Sequence, residues 1–147
     1  MRKVHLCLIA TLVLCSLSGM AQNQAGPPGG ITLLPGYQHE RLRGADSVVG
    51  RIWKDQGLSI RYDIGGLAGN RVTGNPNLQW SKEKIVSGNR VQMALTKDRT
   101  LIVVFSSVAP GPRGVPGSML PANFYATVSN EEDIADMLFM VMAYTPK

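Results

Sequence analysis

Residues 58–64, LSIRYDI, alternate without a break: Leu58, Ile60, Tyr62 and Ile64 are apolar, and Ser59, Arg61 and Asp63 are polar. Successive side chains of a strand point to opposite faces, so a strict period of two marks a strand with one face buried and one in water. Upstream, Val49, Arg51 and Trp53 alternate with Val48 and Ile52, and KDQG between the two runs is a turn signal ending in glycine. The two runs form a β-hairpin. That commits the chain to antiparallel sheet, because strands joined by a tight turn run in opposite directions.

The same grammar returns in residues 84–108, KIVSGNRVQMALTKDRTLIVVFSSV, where SGNR and TKDRT separate three apolar runs. Val91, Met93 and Leu95 share one face, as do Leu101, Val103 and Phe105 of the next run. Ile102 and Val104 make the other face of that last run apolar as well. A strand apolar on both faces belongs inside a sheet that is covered on both sides. NFYATVS adds a further strand, with Phe124, Ala126 and Val128 on one side. Residues 65–79 are rich in glycine and asparagine and read as a long loop. They lack the lysine–hydroxyl pair and the following helix that a phosphate loop needs. Residues 109–122 hold four prolines and three glycines and are read as a second long loop, with Arg113 near its tip.

One helix is expected, near the C-terminus. Asn130 suits an N-cap, with Asp133 three residues on in a loose capping box. Glu131, Glu132 and Asp133 place negative charge where the helix dipole favours it. Ile134, Met137, Leu138, Val141 and Met142 follow at helical spacing as one apolar stripe. A helix of about 14 residues would be roughly 20 Å long, about the length of a six-residue strand. Phe139 and Met140 fall to either side of that stripe. With Tyr144 they widen the apolar arc to more than half the helix. Either a loop covers this excess or it is an interaction surface formed by Phe139, Met140 and Tyr144, with Arg113 from the proline-rich loop. The fold class is therefore α+β: an antiparallel β-meander of about five to seven strands with one C-terminal helix packed on one face. The opposite face needs the N-terminal segment, a curled sheet or a second molecule to cover it.

The first residues fit a secretory signal peptide. Arg2 and Lys3 precede an apolar run from Val4 to Cys15, and small residues lead to a cut after Ala21. The run is shorter than the roughly 20 residues of a membrane span. Leu14 is too large to precede a lipidated Cys15. The expected organisation is a signal peptide at 1–21, a flexible Gly/Pro lead-in at 22–30 and a single domain at 31–147. Cleavage would remove Cys7, Cys15 and His5, lowering the formal charge from +5 to +3. The mature chain would then hold no disulfide and no transmembrane segment. Export to a bacterial periplasm or beyond is the expectation, since a small animal secreted domain usually carries disulfides.

With no cysteine and with His39 as its one histidine, such a chain has no thiolate or multi-imidazole metal set. No cofactor is expected. The carboxylates cluster only at Glu131, Glu132, Asp133 and Asp136, where the helix start explains them. Ser81 and Lys82 are neighbours and face apart on a strand, so they make no Ser–Lys pair. His39 reads as an exposed polar residue, because Glu40 beside it points the other way. From Gln22 to Asn130 there are 12 basic and 6 acidic residues, but the arginines are spread along the chain and the aromatics look buried. Nucleic acid is therefore an unlikely partner for this pattern, while an anionic envelope surface or acidic polymer stays open. The leading expectation is a non-catalytic binding or protein-interaction module of the bacterial envelope, as a homodimer or on an envelope protein. A second is a carrier of a small apolar ligand, in a pocket lined by Met93, Phe105, Met137 and Met142. A third is a hydrolase-like enzyme using His39 with Arg61 or Arg113.

Overall fold

A computed structural model describes residues 26–65, 69–107 and 121–145. Seven strands form one open antiparallel sheet: β1 (Tyr37–Leu42), β2 (Ser47–Lys54), β3 (Ser59–Gly65), β4 (Leu78–Val86), β5 (Asn89–Thr96), β6 (Thr100–Ser107) and β7 (Ala122–Thr127). One helix, α1 (Glu131–Val141), ends the fold. The class is the expected α+β. The strand order is β1-β2-β3-β7-β6-β5-β4. It comprises two consecutive meanders, β1–β3 and β4–β7, joined where β3 pairs with β7. The signal segment, the 109–120 part of the proline-rich loop and Arg113 lie outside the described residues. Among the described residues no helix is long and apolar enough to cross a membrane.

Turn chemistry fixes the hairpins. In the KDQG turn the left-handed residue is Gln56 (φ 55), one before the glycine. Ser87 (φ 49) and Gly88 (φ 78) form the two-residue link between β4 and β5. Two successive positive φ values give that link a twist matching the strands it joins.

The main core lies between the sheet and α1. Ile52, Ile60, Val103, Phe124, Met137, Met140 and Val141 are fully buried there. Each such side chain contributes about 1.5–3 kcal/mol by leaving water. Tyr144 packs edge-on against Phe105 and Phe124, each 5.2 Å away between ring centres. On the other side, the Tyr37 hydroxyl donates to Asp136 Oδ2 at 2.8 Å, tying β1 to the helix. The helix starts as expected: Asn130 Oδ1 accepts from Asp133 N at 2.9 Å, and Asp133 Oδ2 accepts from Ser129 N at 2.7 Å. Part of the lead-in also belongs to this layer. Gly29 O accepts from Thr145 N at 2.9 Å, and Ile31 is buried in the core. Gly30 (φ 83) lies against Ala143 O, where a Cβ would collide.

The second apolar face is small and is covered from within the chain. Between β3 and β4 the backbone crosses to the far edge of the sheet, and residues 69–77 lie on the side opposite α1. Val72 packs there on Ala94, Ile102 and Val104. Asn123 is fully buried beneath it, donating to Gly69 O at 2.9 Å and accepting from Arg71 N at 3.4 Å. A buried amide needs such partners, and these anchor the crossing segment. The stretch expected as a surface loop is thus a strap over the greasy strand β6.

Candidate functional site

Strand register brings one row of side chains together on the face opposite α1: Glu40 beside Arg51, Arg51 beside Arg61, Arg61 beside Tyr125 and Tyr125 beside Ile102. The strap covers the β6 end of this row and reaches Tyr125 through Arg71. Among the described residues nothing covers the β1–β3 part of the row.

Two arginines directly opposite each other on neighbouring strands repel. The repulsion is relieved on one side only. Arg51 forms an ion pair with Glu40 at 2.8 Å and lies over the Trp53 ring, 4.4 Å from its centre. Arg61 is exposed and has no ion-pair partner among the described residues. Asp63, two residues along on the same face, does not pair with it. Arg71 reaches back from the strap and lies 4.2 Å over the Tyr125 ring. A guanidinium placed over a ring by its charge still has N–H groups available for another partner.

Three shallow grooves meet at Tyr125. The first, about 460 Å³, is lined by Ser59, Arg61, Thr100, Tyr125 and Thr127 among others. A second, about 430 Å³, runs past Glu40, Arg51, Arg61 and Asp63. The third, about 330 Å³, lies between Arg71, Thr73, Asn75, Thr100 and Tyr125. Arg61 stands between the first and second, and Thr100 between the first and third. The surface combines fixed positive charge, hydroxyls and partly exposed rings, and it can hold an anion by charge-assisted hydrogen bonds.

His39 has a different setting. It is buried, not exposed, and its Nε2 lies 2.8 Å from the Tyr62 hydroxyl. Gly50 pairs with Tyr62 across the strands, and a Cβ there would collide with the phenol, so the glycine makes room for this contact. Burial first, and the Arg41 charge second, lower the His39 pKa, while Glu40 opposes them. Burial raises the pKa of Tyr62. His39 shares the helix-side face with Ile52 and Ile60, whereas Arg61 points to the other face, so the sheet separates the two. Glu40 also points away, into its pair with Arg51. Among the described residues no three His, Cys, Asp or Glu side chains converge.

Of the residues expected at a helix interaction surface, Phe139 is 76% exposed, but Met140 and Tyr144 are core. The fully buried helix residues are Met137, Met140 and Val141, with Tyr144 buried just past the helix end. Ile134, Leu138 and Met142 of the expected stripe are partly buried against the same core, so the buried side is shifted toward Met140. Phe105 and Phe124 pull Tyr144 inward, and Met140 follows on the same side of the helix. Of the residues expected to line an apolar pocket, Phe105 and Met137 are buried in the packed core, and Met93 and Met142 are partly buried against it. Trp53, Arg71 and Tyr125 were not singled out by the sequence. The signal for part of the cluster was present: a hairpin closing at KDQG pairs Trp53 with Ser59 and so places Arg51 opposite Arg61. No protein-family model, curated protein or solved structure matches the chain.

Proposed function

We propose that the domain is a non-catalytic binding module of the bacterial envelope, and that its binding surface is the open sheet face around Tyr125. The observation that carries this reading is Arg61, a guanidinium without an acidic partner among the described residues, set between two grooves and flanked by Arg51 and Arg71. Repulsion between such charges is a cost to the fold that an anionic partner would relieve. Export rests on the charged, apolar and small-residue order of residues 1–21.

Retention on an immobilised polyanion tests the reading. Replacing Arg61 and Arg71 together by Gln should lower the salt concentration that elutes the protein. Replacing Lys82 and Lys84, on the other face of the sheet, removes the same charge and should have the smaller effect. Equal shifts for the two pairs would reduce the attraction to net charge and sink the proposed site.

A further inference from the structure

We infer that the anion bound on this face is a carboxylated polysaccharide, a chain of uronic-acid type. The inference rests on the reading of the open face as a binding surface and adds the class of ligand. Three features support it.

The first is the state of the rings. Arg51 lies over Trp53 and Arg71 over Tyr125. A single-stranded nucleic acid is held by bases stacked on free aromatic faces, and here a guanidinium already occupies each ring. The second is the lining of the largest of the three grooves. Around Arg61 it offers the hydroxyls of Ser59 and Thr127, and that of Thr100, which donates to Asp98 Oδ2 at 3.3 Å and is left as an acceptor. Hydroxyls both donate and accept, and so match sugar hydroxyls that do the same, whereas a phosphodiester or sulfate chain offers mainly acceptors. The Arg61 fork matches a planar carboxylate with two parallel hydrogen bonds. The third is continuity. Tyr125 lines all three grooves, and Arg61 and Thr100 each line two. A track of joined grooves across several strands suits a polymer with a repeating acid better than one small molecule.

Calorimetric titration of the full chain, purified after export, with polygalacturonate tests this. Methyl-esterified polygalacturonate, dextran sulfate and a single-stranded oligonucleotide are run beside it at the same ionic strength. The expected result is binding to polygalacturonate that weakens about tenfold or more on esterification and by a similar factor in Arg61→Gln. Arg61→Lys should recover only part of it, because an ammonium lacks the fork. Lys84→Gln should change little. Equal or tighter binding to dextran sulfate or to the oligonucleotide, still lost in Arg61→Gln, would overturn the carboxylated ligand and leave the binding face standing. Binding to none of the polymers, or binding that Arg61→Gln does not alter, would overturn both.

Discussion

His39 is held neutral inside the fold, and the sign of that effect can be followed through. In the unfolded chain it takes up a proton near pH 6.5, and in the folded chain only at lower pH. Between those values the unfolded state binds more protons. Stability therefore falls as pH drops through about 6.5, and levels off below the folded-state value. His39→Gln should flatten the pH dependence of the urea midpoint between about pH 7.5 and about pH 5. A variant as acid-sensitive as the wild type would assign that sensitivity to other groups. Tyr37 shows the same logic at the basic end: burial, then its hydrogen bond to Asp136, raises its pKa well above the usual phenol range.

At the scale of an element, α1 separates residues that its sequence leaves nearly equivalent. Phe139 and Met140 are neighbours in one apolar run, and a helical stripe through Ile134 and Met137 excludes both. In the fold Met140 is fully buried and Phe139 is exposed. Period alone could not decide between two overlapping stripes; the ring cluster of Phe105, Phe124 and Tyr144 did. Met140→Ala should cost about 2–5 kcal/mol in urea unfolding, and Phe139→Asp less than about 0.5 kcal/mol. Asn130→Ala should cost about 1 kcal/mol by removing the cap on Asp133 N. A Phe139→Asp chain that fails to fold would mean that this side chain is covered in solution. The helix start and the hairpins were legible because caps, turns and alternation act over a few residues. The helix's rotation was not, because it depends on Phe105 and Phe124, rings carried by two separate strands that come together with the helix only in the fold.

The whole molecule depends on the strap. The double-sided apolar character of β6 was visible in the sequence, but not what covers it. One side chain, Val72, in a stretch dominated by glycine and asparagine gives little warning of burial. Val72→Asp would place a charge on Ala94, Ile102 and Val104 and should cost roughly 3 kcal/mol, whereas Thr73→Asp beside it, exposed, should cost little. Equal urea midpoints for the two variants would show that the strap does not seal that face. The arginine cluster was hidden for a related reason: Arg51, Arg61 and Arg71 are evenly spread in sequence, and only the hairpin register and the strap's path bring them together. The strand order has a further effect on timing. β7, the last in sequence of the described strands, sits at the middle of the sheet between β3 and β6. Until residue 127 is available, each meander ends in an unpaired inner edge and the two halves have no seam to close. A chain delivered N-terminus first therefore keeps two separate half-sheets, each with an exposed edge, until β7 emerges to lock them together.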